Sequence, residues 1–174
     1  MPSRRLQVVS VGNPPAGSLR EISEPLLQIL GVTASHGKAQ LPAPAYAFNK
    51  ERNQYHCNAI LKRLAQVLEP TQDFALGITD ADLFMPDAPF VFGDADRDQK
   101  VAIVSVARLG GAQAGGLKRR LQVESLHQVA HLLGLSICED PRCILFVPQS
   151  PAEVDRKNLA LCNLCRNEYA KLKR

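Results

Sequence analysis

Apolar and polar positions along the 174 residues follow two rhythms, one of period two and one near 3.6. Residues 5–11, RLQVVSV, are β-branched and apolar and stop at Gly12-Asn13-Pro14-Pro15, which predicts a first strand and a loop. In residues 18–30, Leu19, Ile22, Leu26, Leu27 and Leu30 recur at helical spacing between a capping Ser18 and a stop at Gly31. Pro25 lies inside that pattern and predicts a kink. Residues 38–48 fit an irregular strand. Residues 49–68 predict the clearest helix, with Asn49 as cap and Tyr55, Ile60, Leu61, Leu64, Val67 and Leu68 on its apolar side. FALGIT (74–79), PFVFG (89–93) and KVAIVSVARL (100–109) read as strands, and GGAQAGG (110–116) as a flexible connector. A helix follows over 117–133, then a loop-like stretch with Pro141, Pro148 and Pro151, then a last helix near 161–172. Strands alternating with helices predict an α/β fold with helices packed on a sheet. The whole chain, 1–174, reads as a single domain: a sheet-and-helix part over 1–134 and a small cysteine-bearing lobe over 135–174.

Composition narrows the choices. Hydrophobic residues make up 45%, enough for a core. The net charge of +4 is mild, and the basic runs Lys118-Arg119-Arg120 and 171–174 have no aromatic residues among them. That argues against a nucleic-acid surface, which combines basic stripes with stacking rings. No run reaches the ~18 apolar residues of a membrane span. The start, MPSRRLQVVSVG, is too broken to be a signal peptide, so the expected location is cytoplasmic. Thiols stay reduced there, and clustered cysteines are then read as metal ligands rather than disulfides.

The candidate chemistry lies in the last third. His127 and His131, four apart on one helical face, can point two imidazoles at one metal. Gly134 can take positive φ, end the helix and turn the chain back toward the pair. Cys138 and Cys143 enclose four residues, and Cys162 and Cys165 enclose two. Four thiolates close a tetrahedral zinc shell with no open position, the mark of a structural site. Cys57, beside His56, reads as a small buried apolar residue.

With these motifs the sequence resembles the archaemetzincins, zinc metallopeptidases of the metzincin clan. Their pattern joins H-E-x-x-H-x-x-G-x-x-H to C-x4-C-x-M and a final C-x-x-C, and it runs here from His127 to Cys165. The segments 48–61, 77–93 and 101–109 resemble the family upstream of that helix. The resemblance implies a metzincin-like twisted, mixed but mainly parallel sheet and a cleft floored by the histidine helix. It implies two zincs per chain, one on three histidines and one on four cysteines. It also implies an edge strand near FVFG that pairs with an extended peptide or protein ligand.

The departures fall at one centre. Gln128 stands at the general-base position, Ile137 at the third histidine and Leu145 at the methionine, and the chain's methionines are Met1 and Met85. A carboxamide cannot take a proton near pH 7, and an isoleucine has no lone pair for a metal. Glu139, Asp140 and Glu124 are the nearby carboxylates that come into question as a substitute ligand, Glu124 otherwise being a solvated or capping group. Leu for Met fills a similar volume. The expectation is a pseudoenzyme: one structural zinc on Cys138, Cys143, Cys162 and Cys165, and a weak remnant site on His127 and His131. The alternatives are an active zinc peptidase with altered ligands and a zinc-ribbon-like nucleic-acid binder.

Overall fold

The computed structural model describes residues 3–110 and 115–174. Its main sheet contains β1 (Arg4–Val11), β2 (Val32–His36), β5 (Phe74–Thr79), β8 (Gly93–Asp96) and β9 (Val101–Ser105), in the order β2-β1-β5-β9-β8. The pairs among β2, β1, β5 and β9 are parallel, and β8 is antiparallel to β9 at the edge. Every residue of β5 and β9 is buried, as expected for strands covered on both faces. Alternate side chains divide between two cores. Leu6, Val8, Leu76, Ile78 and Val104 face one side with α1 (Ser18–Pro25) and α3 (Gly115–Leu132), and Val9, Ala75 and Ile103 face the other with α2 (Cys57–Val67). Gln7 is the polar exception inside β1. Its carboxamide donates to Val67 O at 3.0 Å and accepts from Glu69 N–H at 2.8 Å, which fastens the end of α2.

A second, four-stranded sheet has the order β3-β4-β6-β7, with β3 at Phe48–Asn49, β4 at Gln54–His56, β6 at Leu83–Met85 and β7 at Ala88–Val91. It corrects the helix expected over 49–68, since residues before Cys57 pair as strands and Asn53 turns with φ +56°. Residues 45–47 form a 3-10 turn inside the stretch read as an irregular strand. The stretch 89–93 is not one strand: it leaves β7, crosses at Phe92 and enters β8. At Pro25 the helix widens into a π-helical turn over Leu26–Leu30, the local answer to a missing N–H. The expected connector 110–116 lies largely outside the described residues. Two elements join the C-terminal stretch, α4 (Pro151–Arg156) and α5 (Asn163–Leu172). Cys143, Ile144, Leu145, Val154, Leu161 and Tyr169 from that stretch pack into the same core as α1 and α3.

Candidate metal centres and the cleft between them

Nearly the whole circumference of α3 is buried. Leu121, Val123, Leu126, Val129 and Ala130 are inaccessible, and so are the polar Glu124 and Ser125. Such a helix lies inside the molecule rather than on it, and its polar groups must find partners there. It ends at Gly134, with φ +106°, in a turn where Leu135 N–H donates to Ala130 O at 3.1 Å. Arg97 reinforces the end: its guanidinium donates to His131 O and Leu135 O, each at 2.6 Å.

His127 and His131 come together as expected. Nδ1 of His127 lies 2.8 Å from Ile144 O, and Nδ1 of His131 lies 2.8 Å from Leu135 O. A carbonyl only accepts, so both Nδ1 atoms carry the proton and both Nε2 lone pairs are free. Those two Nε2 atoms converge at 3.0 Å. Zn–N bonds of 2.0–2.1 Å at a tetrahedral angle span about 3.3 Å, so the pair has the bite of a chelate. Burial holds His127 well below the usual histidine range, helped by the Lys157 ammonium and by His131. Burial likewise lowers His131.

The third position does not fit a metal. Ile137 follows the Gly134 turn and is 68% exposed at the cleft. Among the described residues, the groups of three or more His, Cys, Asp or Glu whose ligand atoms lie within 4.8 Å of one another reduce to the four cysteines, so no third ligand closes on the imidazoles. Glu124, read above as solvated or capping, is neither. It is 1% exposed, and its Oε2 accepts from Lys157 Nζ at 2.9 Å. Burial raises the Glu124 carboxyl and lowers the Lys157 ammonium, and their contact opposes both shifts. Lys157 has no accessible surface and places Nζ 3.2 Å from His127 Nδ1. Sequence reasoning missed this lysine, because nothing in DRKN marks it as internal.

Gln128, 5% exposed, turns its carboxamide to the cleft against Gly93. A Cβ at Gly93 would stand 2.2 Å from Ile103 O and 3.0 Å from Gln128 Nε2, so only glycine lets β8, β9 and α3 approach this closely. The cleft, about 490 Å³, is lined by Phe90, Phe92, Gly93, Gln128, Ile137 and Val147 among others.

The four cysteines converge from two segments. Their Sγ atoms all lie within 4.8 Å of one another, and Cys138 and Cys162 are 3.9 Å apart. Tetrahedral Zn–S bonds of about 2.3 Å place sulfurs about 3.8 Å apart, so the residues fit a zinc ion. Backbone N–H groups of Asp140, Leu145, Cys162 and Cys165 point at the sulfurs over 3.4–3.5 Å. The N–H of Cys165 lowers the Cys162 thiol, which favours the thiolate a metal needs. Cys57 is fully buried in α2, and burial raises its thiol.

An α/β sheet, a histidine helix ended by a glycine turn and a four-cysteine knot beyond it define a metzincin-type metallopeptidase fold. The sequence pattern of Peptidase family M54 matches residues 20–174. The archaemetzincin of Methanocaldococcus jannaschii is 36% identical over 132 residues, 72% of each chain, and that of Natronomonas pharaonis is 30% identical over 94% of this chain and 98% of its own. The crystal structure of the Methanopyrus kandleri archaemetzincin superposes with TM-score 0.88 at 31% identity, over 99% of this chain and 97% of that one. A zinc-dependent peptidase from Methanocorpusculum labreanum gives 0.83 at 30% identity, over 94% and 99%. The chain belongs to the archaemetzincins. No helix among the described residues is long and apolar enough to cross a membrane.

Proposed function

We propose that this archaemetzincin keeps a structural zinc on Cys138, Cys143, Cys162 and Cys165, has lost the catalytic zinc with its peptidase activity, and binds extended peptide in the cleft without cutting it. The observation that carries this is the open third position, where the Gly134 turn delivers Ile137. A zinc centre of this class lowers the pKa of its water to about 7 and polarises the scissile carbonyl. A general base beside it contributes roughly 10²–10⁴-fold. This chain offers two imidazoles for the metal and a carboxamide for the base. Peptide binding is supported by β8. It bonds β9 on one side, beginning at Ser105 N–H to Phe92 O, 2.8 Å, and the alternation of an antiparallel ladder then turns the N–H and C=O of Gly93 and the C=O of Ala95 to the open edge, the Ala95 N–H being taken by the Asp94 carboxylate. A second reading rests on the 3.0 Å convergence of the Nε2 atoms: a loosely held metal with water in the remaining positions and residual hydrolysis. Zinc counted on protein purified without chelator, with a peptide-hydrolysis assay on the same sample, decides. One zinc and no hydrolysis fits the first reading, and two zincs with zinc-dependent hydrolysis overturns it.

A further inference from the structure

Past His131 and Ile137 the cleft continues into a second hollow between α2, β8 and the Gly134 turn. Its wall carries Asp94, Asp96 and Asp98 against the single cation Arg97. Arg97 is not free to neutralise them, because its guanidinium is committed to His131 O and Leu135 O. Asp96 is held by Gln99, while the Asp94 carboxylate, which lines both hollows and which burial raises, accepts from Ala95 N–H and has no partner on another side chain among the described residues. The other half of the cleft adds Asp87 to Asp94, with Glu124 matched by Lys157, and Ile137 and Val147 stand 68% and 49% exposed on its rim.

A polar group lines the first half, beside Gly93. Gln128 is 5% exposed and lines the cleft, and its carboxamide has no protein hydrogen-bond partner among the described residues. Its amide nitrogen and oxygen are not among the buried unpartnered atoms, so they meet water in the open cleft and stay available to a ligand. One donor and one acceptor side by side match a peptide amide, and a carboxylate in the same place would not offer the donor.

We propose that the cleft selects an extended peptide that lays its backbone amide on Gln128, an apolar side chain on Ile137 and a lysine or arginine side chain against Asp94. This rests on the peptide-binding reading above and adds the side chains that the cleft discriminates. The residues that replaced the base and the third ligand then act as recognition groups. An apolar contact at Ile137 excludes water from the amide pair, and the acidic wall attracts a cation.

The test uses fluorescein-labelled, C-amidated hexapeptides of alanine with Leu-Lys, Leu-Glu or Ser-Lys at the centre, titrated into the full chain and followed by anisotropy, with mass spectrometry of the peptide afterwards. Leu-Lys should bind best and stay intact, with roughly tenfold weaker binding of Leu-Glu and fivefold of Ser-Lys at low salt. Asp94→Asn should erase the preference for Lys over Glu, and Ile137→Ser that for Leu over Ser, each with the thermal midpoint of the wild type. Equal binding of all three peptides overturns the selectivity and leaves the peptide-binding reading standing. Absence of binding by any of them overturns both. Cleavage of the bound Leu-Lys peptide overturns the claim that it is held uncut.

Discussion

The ammonium of Lys157 lies 2.9 Å from the carboxylate of Glu124, and the two side chains are 0% and 1% exposed. Each ion is tolerable only because the other is there. Breaking such a pair leaves a buried unpaired charge and costs about 3–5 kcal/mol, whereas replacing both ends by apolar groups is often neutral. Lys157→Met should therefore lower unfolding stability by that amount, and Lys157→Met with Glu124→Leu should recover most of it. Chemical denaturation of the four members of the cycle measures the coupling. A single Lys157→Met change without loss would mean that the pair is not closed in solution.

The cysteine knot ties the chain after α3 to α5. Ile144 N–H donates to Ala160 O at 3.1 Å, and Asn158 N–H donates to Arg142 O at 2.7 Å, so the cysteine-bearing segments run side by side. Metal bound there contributes to folding directly. Cys162→Ser or Cys165→Ser should lower the melting temperature and speed amide exchange beyond residue 136. His127→Ala should leave the tightly held zinc near one per chain, as counted by metal analysis. A serine variant of full stability that keeps its zinc would disprove the assignment.

Acid should unfold the protein partly through the histidines. Burial depresses His127 and His131 below their usual value near 6.5, so the unfolded chain binds more protons as pH falls. Their contribution is intact above about pH 6.5 and is lost progressively as pH falls toward the depressed folded values. Thiolate zinc is also released in acid, so the informative quantity is the difference between the wild type and a His127→Gln, His131→Gln variant. Between pH 8 and pH 5 the wild type should lose more stability than the variant. Parallel curves would mean that the histidines protonate freely in the folded state.

The sequence carried the metal chemistry more clearly than the architecture. Four cysteines in C-x4-C … C-x2-C spacing, two histidines at helical spacing and one glycine pointed to metal chemistry, and the fold brings them together as their spacing implies. The helix read over 49–68 failed at its start, because β-strand pairing with Leu83 and Phe84 outweighed local helical periodicity for Tyr55 and His56. Strand β8 is GDAD, four residues with no apolar side chain beyond alanine, and is a strand only because β9 offers it an edge. The helix α4 did have a signal: Ser150 caps Glu153 N–H, and Glu153 returns a bond to Gln149 N–H, close to a capping box hidden among prolines. Lys157 had none, since burial of a lysine depends on a partner 33 residues away.

On the proposed reading, the loss at the histidine centre is confined to two side chains. Around them, Ile144 O and Leu135 O set both tautomers, the Nε2 atoms converge, and Gly134 turns the chain. Ile137→His should then add a second zinc, because its backbone already follows the turn that brings it to the cleft. A metal without a base leaves the water poorly activated, so this single change should bring little hydrolysis. Adding Gln128→Glu places a carboxylate where the carboxamide now faces the cleft, and only the double variant should hydrolyse peptide measurably, by roughly 10²-fold or more over the single one. Metal analysis and a peptidase assay on both proteins read the two steps separately. Failure of Ile137→His to gain zinc would show that the loop holds position 137 away from the imidazoles, as its 68% exposure allows. A second zinc in the double variant without any hydrolysis would place the defect beyond these residues, in the seating of the peptide.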